Sequence, residues 1–393
     1  MTRLFLCGPL SAEVSDLARR LGLVPDLAAG QTAVLLGYGL RVSAGAAFWP
    51  HVVAARNSQV EGRVFGDVSD ESRARFLGFA QALGQRVATL AVVCGTDVVE
   101  ALTLLPDAPA MAHTSQAAPL WDRRDWSDRF APAACLAADR WAEAWDVAPK
   151  AQRPGHFALL MLRAAARLRA EHEVQEGARP TRLRHHTAPG DVAVADLRRP
   201  YDQFFAIEEY DLRLRRFAGG QSRLMSRAAF VSADAVTVLP YDVVRDRVLV
   251  VEQFRPGAFG RGDPQPFTLE AIAGRIDLGE SPQQAARREA AEEARVALQR
   301  LIPVASYYPS PGAKSEFVYS FVGLADLPDD AGGIAGMAAE DEDIRAHVLA
   351  FEDLMALIRS GEGATGPLIL TAFWLESRRG TLSDAPGHHP RLA

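Results

Sequence analysis

A chain of 393 residues exceeds what one hydrophobic core ordinarily supports, so two domains are expected. With 48% apolar and 23% charged residues of both signs, it groups with ordinary globular proteins and away from disordered or fibrous ones. A formal net charge of -6 supplies no basic stripe for nucleic acid, and three scattered cysteines form neither a disulfide framework nor a CxxC zinc pair.

The first half opens on the apolar run Leu4 to Cys7, read as a strand that ends at Gly8-Pro9. The run is too short for a signal-peptide core, and no other apolar run approaches membrane-spanning length, so a cytoplasmic protein is expected. A helix follows over Ser11 to Leu23, then strands at Ala33 to Val42 and Val60 to Val68. Next come a Ser/Asp-capped helix from Ser69 to Leu83, a strand from Arg86 to Cys94, and a closing helix from Gly155 to Arg169 with Phe157, Leu160, Met161 and Ala164 at helical spacing. Cys7 and Cys94 lie in apolar runs and are read as core residues. Trp121, Trp126, Trp141 and Trp145 are read as core or interface packing ahead of a ligand cavity.

Between Glu171 and Pro200 the composition turns charged and small, which suggests an inter-domain segment at 176–200, part of it pairing as an edge strand. The second domain is expected over 201–380, with a frayed tail at 381–393. Its strands are read at Phe204 to Leu214, Ala235 to Leu239, Val248 to Phe254, Leu269 to Gly274, Val304 to Tyr308 and Phe317 to Leu324. Asp242 to Asp246 makes a hairpin turn, and helices are expected at Ser281 to Ala294, Phe351 to Ser360 and Pro367 to Arg378.

The chemistry is concentrated in GRIDLGESPQQAARREAAEEARV, from Gly274 to Val296. Glu289, Glu292 and Glu293 stand at i, i+3 and i+4 of a helix and share one face. Three carboxylates so placed repel one another, and a hard divalent cation held through oxygen ligands compensates them. Gly274 and Gly279 allow the preceding loop to bend close to metal and phosphate, and Arg288 is placed to pair with Glu280. A bare EAAEE run would be read as a solvated acidic face. The register of Gly274, Glu280, Arg288-Glu289 and Glu292-Glu293 changes that reading, because it closely resembles the Nudix box. Arg295 departs from the pattern, standing where the box carries glycine.

The resemblance extends from about Phe204 to Glu376 and is closest to the ADP-ribose pyrophosphatase branch. It rests on LPYDVVRDRVLVVEQFR (Leu239 to Arg255), LEAIAGRID (Leu269 to Asp277), SPGAKSE (Ser310 to Glu316) and AEDEDIRAHV (Ala339 to Val348). It implies an α/β/α Nudix sandwich and Mg²⁺, with Mn²⁺ as a possible substitute, held by Glu289, Glu293, Glu292 and the Ala273 carbonyl. It assigns Glu340, Glu342 and Arg288 to catalysis, with Glu340 as general base and Glu342 as its fallback, and Arg255, Glu316, Gly312 and Glu270 to substrate. Gly274, Gly279 and Glu280 are the structural members of the box. The implied reaction is ADP-ribose plus water giving AMP plus ribose 5-phosphate. GDP-mannose-type or broader nucleoside diphosphate sugar pyrophosphatases are the competitors, and a non-catalytic nucleotide sensor is the rival of another class. A homodimer is also implied, as is the absence of nucleic-acid or membrane partners.

In the first half LFLCGPL, GYGLR and VEGRVF resemble the gamma-glutamylcyclotransferase-like fold, which implies a small mixed β-barrel-like domain over 1–175. Leu77 aligns where that family carries its catalytic glutamate, and Pro9 falls in the entry loop. The expectation is therefore a retained fold without its activity.

Overall fold

The computed structural model describes residues 2–11, 16–42, 48–107, 118–148, 153, 155–336 and 342–382. The chain divides into two compact units, Met1–Ser232 and Ala233–Ala393.

In the first unit five strands close into a barrel in the order β1-β3-β2-β4-β5, where β1 is Leu4–Cys7, β2 Gln31–Arg41, β3 His51–Phe65, β4 Gln85–Cys94 and β5 Asp97–Pro106. All pairs run antiparallel except the closing one, β1 on β5, which is parallel at Leu4↔Leu102. Inward-facing Phe5, Ala33, Leu35, Val60, Val64, Val92, Ala101 and Leu105 fill it, following the alternation of a half-buried strand. Strand β5 is absent from the sequence reading. It is joined to β4 by a two-residue turn in which Gly95 takes φ 63°, and this turn is the local signal for the hairpin. Strand β3 starts nine residues earlier than the expected Val60, with Asn57 at φ 60° inside it. The expected helix over Ser11 to Leu23 is reduced to a 3-10 turn at Gly8–Ser11 and a short helix α1 at Leu17–Arg20, with 12–15 outside the described residues.

Helix α2 (Asp70–Ala82) begins where expected, its Ser69 hydroxyl accepting the Ser72 N–H at 3.0 Å. Helices α3 (Arg123–Arg129), α4 (Ala131–Val147) and α5 (Phe157–Gln175) follow. Phe79 is an edge-on hub for Trp49, Trp141 and Phe157 at 5.5, 5.6 and 4.9 Å, so Trp126 and Trp141, both nearly inaccessible, are core residues.

Residues 192–232 contain a three-stranded antiparallel sheet, β6 (Val192–Asp202), β7 (Ala206–Leu214) and β8 (Met225–Val231). Strand β6 lies at its edge, and by its contacts the sheet groups with the first unit. The composition of β6 hides this because its anchor is ionic. Asp202, 2% exposed, receives Arg140 Nε at 3.0 Å and Arg163 Nη2 at 2.6 Å from α4 and α5.

The second unit is a mixed sheet ordered β13-β14-β9-β10-β16-β15. Its strands are β9 (Ala235–Asp242), β10 (Arg247–Phe254), β11 (Phe267–Glu270), β12 (Ile272–Arg275), β13 (Arg300–Tyr307), β14 (Val318–Leu324), β15 (Gly333–Ala335) and β16 (Ile344–Ala350). A short helix α6 (Pro256–Arg261) separates β10 from β11. Helix α7 (Pro282–Ala294) packs on one face over Val236, Val238, Leu249, Val251 and Ile272. Helices α8 (Phe351–Ser360) and α9 (Gly366–Arg378) cover the other over Leu239, Val248, Val250 and Val322. This is the expected α/β/α sandwich. Strands β9 and β10 pair only at their hairpin end and then diverge, β12 pairing with β9 and β11 with β10. Among the described residues, no helix is long and apolar enough to cross a membrane.

Candidate active site

The divergence of β9 and β10 carries the chain across the sheet at Ala271 and presents Ala273 and Gly274 to α7. The start of α7 is locally encoded: Ser281 and Gln284 form a reciprocal capping box, with Pro282 at the first helical position. Its end is the position where the sequence departs from the Nudix pattern. Arg295 adopts the left-handed conformation, φ 54°, that glycine takes without strain. The chain keeps the helix stop at a steric cost.

Glu289 and Glu293 project from α7 toward this bend. Glu293, 3% exposed, accepts the Ala273 N–H at 3.2 Å. Glu289 occupies space that Gly274 leaves free, since a Cβ at Gly274 would lie 1.8 Å from its Oε1. Burial pushes the Glu293 carboxyl up to about 8, with the charges of Glu289 and Glu342 adding to the rise and the Ala273 N–H opposing it. Burial likewise pushes Glu289 up to about 7, against the opposing pull of Arg288.

Arg288 is the hub. It donates to Glu280 at 3.0 Å, to Glu289 at 2.8 Å, to Glu292 at 2.9 Å and to the Arg275 carbonyl at 2.9 Å, tying loop to helix as the spacing suggested. Glu280 also accepts the Asp277 N–H at 3.2 Å, and Gly279 turns the loop at φ 77°. Among the described residues no group of three or more acidic, histidine or cysteine side chains converges as a ready metal cage, and Arg288 draws Glu289 and Glu292 to itself. The donor chemistry nevertheless suits a hard divalent cation: an all-oxygen set, with buried Glu293 and half-buried Glu289 against a backbone bend that a side chain would fill.

Arg255 closes the β10 side of the site. Its Nε and Nη2 make a bidentate pair with Glu270, both contacts 2.8 Å, and Thr268 Oγ donates to Glu270 at 2.6 Å. The guanidinium also feels the charges of Glu293 and Glu342, so the structure brings these carboxylates near it. Glu340 lies outside the described residues. Gly312 is exposed in the turn after Ser310, and burial raises the Tyr307 hydroxyl, with the Ser320 hydrogen bond opposing and the charge of half-buried Glu316 adding to the rise. Strand register sets Val318 opposite Ala235 and Ala235 opposite Arg275, which puts that end of β14 at the same sheet end as the box loop. Gln253, buried on β10 and 7% exposed, was missed by motif reading, although strand alternation from Val251 and Arg255 marks it.

Comparison with known proteins accords with this geometry. The NUDIX domain model matches residues 231–368. An ADP-ribose pyrophosphatase of Escherichia coli (strain K12) is 37% identical over 194 residues, 49% of this chain and 92% of that protein. One from Haemophilus influenzae is 33% identical over 193 residues, 49% of this chain and 88% of that protein. A GDP-mannose pyrophosphatase of Pectobacterium atrosepticum is 32% identical over 171 residues, covering 43% and 86%. Fold and site thus define a hydrolase of the Nudix pyrophosphatase class. Through its C-terminal half the chain belongs to the Nudix family.

Proposed function

We propose that the second unit hydrolyses ADP-ribose to AMP and ribose 5-phosphate with Mg²⁺, for which Mn²⁺ can substitute. The observation that carries this reading is the pair of carboxylates, half-buried Glu289 and buried Glu293, facing the Ala273–Gly274 bend in a C-terminal half that ADP-ribose pyrophosphatase relatives match over nearly their whole length. Glu289, Glu293, Glu292 and the Ala273 carbonyl would hold the cation, which when bound would supply charge neutralisation on the diphosphate. Arg288 holds the box loop against α7, and Arg255, oriented by Glu270, binds the substrate with Glu316 and the Gly312 turn. Glu340 takes the proton from the attacking water, with Glu342 as the alternative base. The water oxygen bonds to phosphorus, the bridging P–O bond breaks, and one phosphate leaves on each product. The influence of Glu342 on Glu293 and Arg255 supports a base on this segment.

The first unit serves assembly or support and has no cyclotransferase activity in this reading. Its barrel end by Cys7, Pro9, Trp49 and Gln85 encloses a cavity of only about 20 Å³, room for roughly one water. Leu77 lies on the outer side of α2, 45% exposed. A cytoplasmic homodimer completes the proposal. The deciding experiment is a hydrolysis screen of the full chain with Mg²⁺ across ADP-ribose, GDP-mannose, ADP-glucose, NADH and diadenosine polyphosphates. ADP-ribose should lead; preference for GDP-mannose would select the competing substrate class, and binding without turnover would make the protein a sensor.

A further inference from the structure

The geometry points to Gln253 as a substrate-binding residue, its side-chain amide donating to an oxygen of the diphosphate beside Arg255. This inference rests on the proposed reading of the site as a nucleoside diphosphate sugar hydrolase. On β10, Leu249 and Val251 pack under α7 while Val248 and Val250 pack on the opposite face, so alternation places Gln253 and Arg255 on the α7 side. Register sets Gln253 opposite Thr268 and Val251 opposite Glu270, which gathers Gln253, Arg255, Thr268 and Glu270 on one face of the β10–β11 hairpin.

Three of these four are committed to one another. Glu270 Oε1 already accepts from Arg255 Nε and Thr268 Oγ, and its Oε2 accepts from Arg255 Nη2. Gln253 differs. It is 7% exposed, and its Nε2 is enclosed with no acceptor among the described residues. Enclosed polar groups are paired in the great majority of proteins, and an orphaned one on the wall of a binding site marks where a ligand supplies the partner. The acceptor that belongs beside a guanidinium is an anionic oxygen, which can only accept. The amide completes what Arg255 begins, adding direction to charge.

The test uses the full chain with Gln253→Met, which keeps volume and removes the donor, and Gln253→Glu, which keeps shape and adds a negative charge. Steady-state kinetics with ADP-ribose and Mg²⁺ are measured beside calorimetric binding of ADP-ribose without divalent cation and thermal melting. For Gln253→Met the expected result is a rise in KM and Kd of about 10-fold or more, the value of a hydrogen bond to a charged group. Its kcat should stay within about threefold and its melting temperature should be unchanged or higher, because the orphaned donor is gone. Gln253→Glu should weaken binding further. KM and Kd within about twofold of wild type would overturn the inference. So would a fall in kcat at unchanged KM with a displaced pH profile, which would assign the amide to a protein carboxylate. If wild type fails on ADP-ribose but binds another diphosphate sugar of the screen, the substrate reading alone falls and the same variants are measured on that ligand; a wild type that binds none overturns both.

Discussion

Glu293→Gln is expected to make the metal-free protein more stable at pH 8 while abolishing its activity. The carboxyl is 3% exposed and its pKa stands at about 8, whereas the same group in the unfolded chain has its ordinary value of 4.5. A raised folded-state value means that the folded protein holds the proton more tightly. The stability this group contributes is therefore full below pH 4.5 and is lost as pH rises through about 8, then stays flat. At pH 8 the limit is about 4–5 kcal/mol, from the distance between 4.5 and 8 at roughly 1.4 kcal/mol per pH unit, and relaxation reduces the expected value to about 1–2 kcal/mol. Glutamine does not titrate, and its amide oxygen can still accept the Ala273 N–H now bonded to Glu293 at 3.2 Å. For a unit of this size, 1–2 kcal/mol is about 3–6 °C in melting temperature. The assay is melting of wild type and variant in chelator at pH 5 and at pH 8, then with Mg²⁺. The variant's advantage should appear only at the higher pH, Mg²⁺ should stabilise wild type more than the variant, and turnover should fall about 100-fold or more. Equal melting differences at both pH values would refute the burial argument, and near-normal turnover would refute the metal site.

Gly274→Ala should cripple turnover, because the added Cβ would meet Glu289 Oε1 at 1.8 Å; kinetics and melting of the purified variant check this, and normal activity would count against the Glu289 placement. Arg295→Gly should stabilise by about 0.5–1 kcal/mol, the relief of a left-handed φ less the added chain entropy of glycine, with unchanged kcat, as denaturant melts can measure. Glu340→Gln should depress kcat far more than substrate affinity; if Glu342→Gln is the crippled variant instead, the base lies two residues later, and the pH–rate profiles identify it. The full chain should release no 5-oxoproline from gamma-glutamyl amino acids or glutathione, and robust release would show that the barrel has kept a catalytic site.

What could be read from the residues follows the range of the forces involved. The box was legible because its parts are local: the Ser281 cap, Arg288 reaching Glu280, and Glu289 and Glu293 on one helical face all lie within 23 residues. The strands of the sandwich were legible in outline because near-continuous apolar runs bury both faces of β9 and β10. Strand β5 was not, since its pairing depended on a two-residue turn, and β16 was not, since its register is set by β10 almost a hundred residues away. The grouping of the β6–β8 sheet with the first unit was hidden for another reason. A sheet held by Asp202 and its arginines carries few apolar letters and resembles a linker in composition.

That anchoring limits how the chain can be divided. A fragment starting near residue 180 would retain β6 with Asp202 but forfeit Arg140 and Arg163 together with α4 and α5, losing both ion pairs and the cover those helices give the sheet. The sheet and the helices that carry those arginines are thus coupled by charge across the polar stretch that composition alone presents as a seam.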